Sequence, residues 1–198
     1  EYPEIEMGKD GTVYAMGKTP GPLLTGCQTL YAVKDGKIQW SKKIDARNIS
    51  HPRLTPSSKN TVYIYGEWNV RENNISGWLF NSKEKRFFLK GFDSKTGKEV
   101  CSREVKDQRH QNDSCITEGP DGSIYTVHSH AQKFSCYTPD LKHKWTYDVN
   151  NIKESIYRRS RSPVFDDQGN IYLAVDGSKD SPDGCLAKLD GDGNEMWN

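Results

Sequence analysis

The chain has 198 residues and a formal net charge of +1, with 33% hydrophobic and 11% aromatic residues. Charges of both signs are mixed without a basic stripe, which argues against nucleic-acid binding, and no apolar run is long enough to span a membrane. This composition is too polar for a helical core but suits many short strands joined by polar turns. The predicted class is therefore all-β.

The first repeat begins with a short strand at Ile5–Met7, an Asp-Gly turn, and a second strand at Thr12–Met16 with alternating apolar residues. A loop with two prolines follows over 17–26. A third strand is predicted at Thr29–Val33 and a fourth at Ile38–Ile44, joined by another Asp-Gly turn. This order of four strands and two turns is the unit that recurs along the chain.

Three further repeats follow, and the repeat boundaries divide the chain into 1–47, 48–108, 109–155 and 156–198. The second repeat contains an insertion at Glu67–Lys85, which is predicted to be a surface loop. In the last repeat only Asn198 follows Trp197, so its outer strand is predicted to be cut short.

Each repeat is predicted to form one four-stranded antiparallel sheet that cannot cover its own apolar faces, so neighbouring sheets must stack. Radial stacking predicts a β-propeller of about four four-stranded blades, as a single domain or propeller segment over 1–198. A sandwich is the alternative, but it would not require the same internal order four times. A closed four-blade ring, part of a larger propeller, and a ring completed by another chain all stay open.

Two sequence patterns carry a resemblance to a known family: a D-G-x-[IV]-Y strand and an A-x-D-x-x-G-x-x-x-W turn. The first lies at Asp10–Tyr14, Asp121–Tyr125 and 169–172, and the second at Ala32–Trp40, Asp93–Gly97 and Ala187–Trp197. The pattern resembles the repeats of pyrroloquinoline-quinone-like β-propellers. That resemblance implies the fold, whereas its members include quinone dehydrogenases, assembly scaffolds and binding proteins.

The chain departs from the quinone enzymes of that family, which have eight blades and often a vicinal pair of cysteines. It has about half that length and no adjacent cysteines, so we predict no cofactor. Cys101 also stands where the other repeats have tryptophan, at Trp40, Trp145 and Trp197. These recurring tryptophans are predicted to pack between adjacent blades.

Compartment is predicted from glycosylation acceptors and from the start of the chain. Three N-x-S sequons, at Asn48, Asn74 and Asn112, predict a secreted glycoprotein. The chain opens on Glu1 with neither an initiator methionine nor an apolar leader, which indicates a processed product or a piece of a longer protein.

The five cysteines have no C-x-x-C spacing, so disulfides are favoured over a zinc or thioredoxin-type site. Cys101 and Cys115 flank a polar loop and are the preferred pair. The other candidates are Cys27, Cys136 and Cys185. The odd number leaves one thiol free or committed to another chain.

Two kinds of pattern could hold a metal ion, but the sequence evidence for each is weak. The turns at 166–170 and 190–195 place oxygen ligands at alternate positions, as calcium requires, but their Asp, Asn and Gly residues are also those that hairpin turns need. His128 and His130 share a strand face and could reach one zinc, although the sequence offers no third ligand and an exposed strand end is favoured. No metal site is predicted.

Trp68 and Trp78 lie in the long insertion, so packing between repeats does not explain them, and they are the candidate ligand-binding residues. No catalytic motif is recognised in the sequence. A catalytic pair of Asp or Glu residues that no short motif reveals stays an open alternative. The predicted function is a secreted, non-catalytic structural or binding module for a protein or glycan partner, with possible self-association through an open sheet edge or an unpaired cysteine. A lectin-like propeller and a fragment of a quinone- or metal-dependent oxidoreductase are the alternatives.

Overall fold

A computed structural model of the protein describes residues 4–19, 27–44, 49–71, 83–105, 114–128, 133–149, 162–175 and 184–198. These residues form sixteen strands in four sheets. Sheet 1 contains β1 (Glu4–Met7), β2 (Val13–Thr19), β3 (Cys27–Lys34) and β4 (Lys37–Ile44). Sheet 2 contains β5 (Ile49–Pro56), β6 (Thr61–Arg71), β7 (Lys83–Asp93) and β8 (Glu99–Val105).

Sheet 3 contains β9 (Ser114–Glu118), β10 (Ile124–His128), β11 (Lys133–Tyr137) and β12 (His143–Asp148). Sheet 4 contains β13 (Val164–Phe165), β14 (Ile171–Val175), β15 (Cys185–Leu189) and β16 (Glu195–Trp197). In every sheet the four strands follow one another in chain order and pair antiparallel. The all-β prediction with four four-stranded antiparallel blades is confirmed, and β16 is as short as expected.

The four sheets are equivalent in detail, because each has one register shift at the same place between its third and fourth strands. The shifts lie between Ala32 and Val33, Gly91 and Phe92, Cys136 and Tyr137, and Lys188 and Leu189. Each tryptophan of the repeat pairs with the residue just before its shift. Cys101 pairs with Gly91 in the same way, so it occupies the tryptophan position of sheet 2.

The chain divides into two compact units, Glu1–Lys106 with sheets 1 and 2, and Asp107–Asn198 with sheets 3 and 4. In each unit, a buried cluster combines side chains from both sheets, most of them on the middle strands. The cluster of the first unit consists of Tyr14, Met16, Leu30, Ala32, Ile44, Leu54, Val62, Ile64 and Phe92. The cluster of the second consists of Tyr125, Val127, Phe134, Cys136, Tyr147, Val149, Ile171, Leu173, Ala187 and Leu189. Stacking two sheets therefore covers the apolar faces that a single sheet leaves open.

Two predicted loop boundaries are wrong. The loop predicted over 17–26 begins later, because β2 runs on to Thr19 and stays paired with β3. The insertion 67–85 was expected to be a loop, but β6 runs on to Arg71 and β7 begins at Lys83, so both of its ends are paired strand. Polar and apolar residues continue to alternate in the sequence after Gly66. The ladder of hydrogen bonds extends as long as both strands offer backbone partners. In the described parts of the chain, no helix has the length and hydropathy that crossing a bilayer requires.

Candidate functional site

Trp40 joins sheet 1 to sheet 2. Its indole Nε1 donates a hydrogen bond of 2.8 Å to the carbonyl oxygen of Ser94, in the last turn of sheet 2. Its ring covers Gly97, which has a φ of 69°, so closely that a Cβ at that position would lie 2.6 Å from Trp40 Cε3. Tyr14 supports the ring from its own sheet, at a centroid distance of 6.1 Å. Only glycine at the turn allows this close approach.

Trp145 makes the same contacts in the second unit. Its Nε1 donates a hydrogen bond of 3.2 Å to the carbonyl oxygen of Gly191, and a Cβ on Gly193 would lie 2.5 Å from Trp145 Cδ2. Tyr125 lies 6.0 Å from its ring. We call this arrangement the tryptophan joint: a supporting Tyr, a Trp from the fourth strand, and a positive-φ Gly in the last turn of the next sheet. The predicted packing of Trp40 and Trp145 between sheets is therefore observed.

The Asp-rich turns use their carboxylates internally. Asp166 Oδ1 accepts hydrogen bonds from the backbone nitrogens of Gln168 and Asn170, at 3.0 and 2.8 Å. Its Oδ2 accepts from the Asn170 amide at 2.8 Å and from the Tyr172 hydroxyl at 3.1 Å. Asp190 repeats the backbone contacts in its own turn. Both oxygens of Asp166 therefore stabilise a hairpin turn, the interpretation favoured over calcium.

These hydrogen bonds lower the pKa of Asp166 to about 2, and the bond from the Asn170 side chain contributes most. A depressed pKa in the folded state adds stability above the ordinary pKa of aspartate, and that stability is lost as the pH falls through about 2. We expect Asp166→Ala to lower the urea midpoint at about pH 7, and the difference from wild type to shrink towards about pH 2. Asp167→Ala, in the same turn, is the matched control. A pH-independent difference would contradict the assignment.

A pair of carboxylates lies on β1, the first strand of sheet 1. Glu4 and Glu6 are two residues apart and pair with Met16 and Tyr14, so both lie on the sheet face that carries the buried cluster. The Glu4 Oε2 atom accepts a hydrogen bond of 3.1 Å from Arg53 Nη1 on β5, the first strand of sheet 2. The two first strands thus bring three charged groups together where the sheets meet.

Their environments differ. Glu4 forms an ion pair with Arg53, and both side chains are partly buried. Glu6 is an exposed residue, and its pKa is raised, first by the desolvation that neighbouring atoms cause and then by the negative charge of Glu4. Two neighbouring carboxyl groups, one ion-paired and one that holds its proton more tightly, are the components of general acid–base chemistry.

Sequence reasoning missed this cluster. The sequence predicts only an ordinary strand at Glu6 and gives no reason to single out Glu4 or Arg53. Arg53 is 49 residues from Glu4 in the chain, and only the stacking of sheet 2 on sheet 1 joins them. The available signal was weak: two glutamates alternate with Ile5 and Met7 on one short strand.

The structure shows no disulfide between Cys101 and Cys115, the preferred pair. Cys136 and Cys185 form no disulfide either, and burial raises the pKa of the Cys136 thiol, which keeps it protonated. The side chain of Cys27 lies outside the described residues. Cys136 lies on β11 and packs in the core of the second unit, so core packing accounts for this cysteine.

Other predicted sites fall wholly or partly outside the described residues. Trp68 lies on β6, where its backbone pairs with Arg86, but its side chain is not among those described, and neither is Trp78. His128 ends β10, whereas its side chain and His130 are also outside the description. The three sequons, Asn48, Asn74 and Asn112, lie outside it too. Secretion and glycosylation stay predictions.

Among the described side chains, no group of three or more His, Cys, Asp or Glu is placed to hold a metal ion.

Comparison with known proteins gives structural matches only, since no family model and no curated protein matches the chain. A protein of unknown function from Bacteroides caccae matches 98% of this chain and 79% of its own, with 9% identity and a TM-score of 0.54. Virginiamycin B lyase from Staphylococcus aureus matches 98% of this chain and 54% of its own, with 16% identity and a TM-score of 0.57. The GH43 protein BlXynB from Bacillus licheniformis matches 99% and 40%, with 14% identity and a TM-score of 0.51.

These similarities establish the β-propeller type of fold, and the chain spans only about half the length of the lyase and less of the GH43 protein. They also overturn the predicted function. The expectation of a non-catalytic structural or binding module is wrong, because the structural neighbours with a stated activity are mostly enzymes. The resemblance to quinone-type repeats stays a prediction, since the neighbours are propellers of other kinds.

Proposed function

We propose that this chain is a catalytic propeller-type protein that cleaves a glycosidic bond by general acid–base chemistry. Glu6 is the general acid that protonates the leaving oxygen. Glu4 is the ionised carboxylate that activates water or stabilises the positive charge that develops on the sugar. Arg53 positions Glu4. The observation that carries the proposal is the raised pKa of Glu6 beside a carboxylate that is ion-paired with Arg53.

The chemistry of glycoside cleavage supports this division of roles. Two carboxyl groups are needed, of which one keeps its proton and the other keeps its charge. Glu4 lies 3.1 Å from Arg53 in an ion pair, and the negative charge of Glu4 opposes ionisation of Glu6. The strand spacing places the two Cα atoms about 7 Å apart on one face, so both carboxyl groups can approach one bound sugar.

The structural neighbours support the substrate class. A GH43 protein and a sialidase from a Hadza microbial source share the fold with TM-scores of 0.51 and 0.50. Their identities of 14% and 7% transfer no residue roles, so the roles of Glu4, Glu6 and Arg53 rest on their own geometry. A lyase is also among the neighbours, and its product would be distinguished by the unsaturated bond that elimination leaves.

The test is a panel of aryl glycosides and polysaccharides, with release of aryl alcohol and of reducing ends as readouts. We expect cleavage by the wild type and loss of cleavage in the double variant Glu4→Gln/Glu6→Gln. Glu104→Gln, which changes an exposed carboxylate on the last strand of sheet 2, should retain it. Wild-type rates in the double variant would rule out the site. A wild type that cleaves no member of the panel would rule out glycosides as substrates.

A further inference from the structure

Sheet 4 carries a tryptophan half of the joint that is open to solvent. Trp197 is 45% exposed, although it occupies the position of Trp40 and Trp145 in its own sheet. Tyr172 supports its ring at a centroid distance of 6.2 Å and an interplanar angle of 63°. The corresponding distances in the two formed joints are 6.1 and 6.0 Å. The indole of Trp197 is therefore held as a docked indole is held.

The support behind Trp197 is itself ordered by charges. The Lys188 ammonium lies 5.2 Å from the centre of the Tyr172 ring and 3.7 Å from Asp166 Oδ2. Asp166 in turn accepts a hydrogen bond from the Tyr172 hydroxyl. Because the Tyr172 ring that supports it is constrained in this way, the exposed indole loses little conformational entropy on docking.

Sheet 1 carries the glycine half. Gly36, in its last turn, has a φ of 72°, compared with 69° at Gly97 and 84° at Gly193. A Cβ on Gly36 would find no described atom within 4 Å, whereas Cβ atoms on Gly97 and Gly193 would strike a tryptophan. The turn therefore has the conformation that receives an indole and an open surface above its glycine.

The sheet faces next to these two halves are apolar and exposed. On sheet 1 the face opposite the buried cluster exposes Ile5, Met7 and Ile38, and the registers place all three on one side. On sheet 4 the face that carries Trp197 exposes Val164 and Leu186. Among the described residues, Val100 is the one exposed large hydrophobic outside sheets 1 and 4. Exposed apolar surface of this kind marks an interaction site.

We propose that these two faces dock on each other between copies of this chain, so that Trp197 of one copy sits on the partner's Gly36 turn. The occupant is a second copy because both halves of the joint, in the orientation used twice inside the chain, are present and open on the same molecule. The interface is heterologous, because one copy contributes the Trp197 face of sheet 4 and the other contributes the Gly36 face of sheet 1. It is separate from the Glu4–Glu6 pair, which lies on the opposite face of sheet 1.

The test is sedimentation velocity of the protein under reducing conditions over a wide concentration range, which removes disulfide-linked species. Wild type should self-associate reversibly. Trp197→Ala should weaken association by at least about 30-fold, because a central aromatic anchor is lost. Gly36→Val, which fills the receiving turn, should do the same. Val100→Ala should associate as wild type does.

Mixing the two variants gives the decisive result. Trp197→Ala keeps an intact Gly36 turn and Gly36→Val keeps an intact Trp197, so the mixture should form a complex of one copy of each that does not grow further. If Gly36→Val does not fold, as judged by circular dichroism, Met7→Lys on the same face replaces it. A wild type that stays monomeric, association that survives Trp197→Ala, or a mixture that does not associate would each overturn the proposal. Monomers in which Trp197 fluorescence is shielded would indicate that the tryptophan docks within its own polypeptide instead.

Discussion

Replacing Glu6 with Gln is expected to lower kcat/KM by about 10²–10⁴ for glycosides with poor leaving groups. The amide keeps the size of the side chain but has no acidic proton to give to the departing oxygen. Substrates with activated aryl leaving groups need little protonation, so their cleavage should fall far less. This dependence on the leaving group separates loss of a general acid from general damage to the fold.

The pH profile gives a second readout. Because the pKa of Glu6 is raised, the protonated acid persists to a higher pH than for a glutamate with the ordinary pKa, and activity should fall as the pH rises through that pKa. In Glu6→Gln that limb of the profile should disappear. Equal losses for all leaving groups, or an unchanged limb, would show that Glu6 is not the acid.

Linkage predicts the accompanying change in stability. A raised pKa in the folded state means that Glu6 stabilises the fold most when it is protonated, below its unfolded pKa, and that this contribution is lost as the pH rises through the folded pKa. Relative to wild type, Glu6→Gln should therefore gain stability on the alkaline side of that transition and not on the acid side. Urea unfolding at both ends of the range measures the difference without any substrate.

Replacing Gly97 with Ala is expected to lower the free energy of unfolding by about 3 kcal/mol, through two additive causes. An L-residue is strained at a φ of 69°, and its Cβ would lie 2.6 Å from the Trp40 ring. The indole must then move off the turn, which also weakens its 2.8 Å hydrogen bond to the Ser94 carbonyl. Denaturant unfolding monitored by tryptophan fluorescence measures the loss.

Gly11→Ala is the matched control for the backbone effect. Gly11 lies in the same unit with a φ of 81°, but a Cβ there meets no described atom within 4 Å. It should cost about 1 kcal/mol, the strain of the left-handed conformation alone. If the two substitutions cost the same, the close approach of Trp40 contributes nothing, and the tryptophan joint is not what holds sheet 1 on sheet 2.

Several elements were predictable because they are encoded locally. The turn at Asp35–Gly36 follows from the chemistry of a two-residue hairpin, and both residues have positive φ. The strands around it follow from the alternation of apolar residues. For example, Val13 on β2 and Val33 on β3 are direct partners in the ladder. The repeat of Trp40 at Trp145 and Trp197 likewise predicted equivalent packing positions, and two of the three are docked on a neighbouring sheet.

The failures have physical causes as well. Sequence spacing favoured Cys101 with Cys115 because both border a polar loop, but a disulfide requires the two side chains to converge, and spacing does not show that. The insertion after Gly66 was expected to be a loop because its composition is polar, although strand pairing depends on backbone partners as much as on side chains. The expectation of a non-catalytic module rested on the absence of short motifs, and two alternating glutamates on one short strand form no such motif.

The sequence by itself determined the strands, their turns, their fourfold repetition and the residues that recur within each sheet, since pairing between consecutive strands depends on neighbours a few residues away. Only the tertiary structure decided which faces meet. It placed Arg53 against Glu4, the indoles of Trp40 and Trp145 on the next turn, and left Trp197 and Gly36 exposed. Contacts between sheets join residues about fifty positions apart, and no local pattern specifies them.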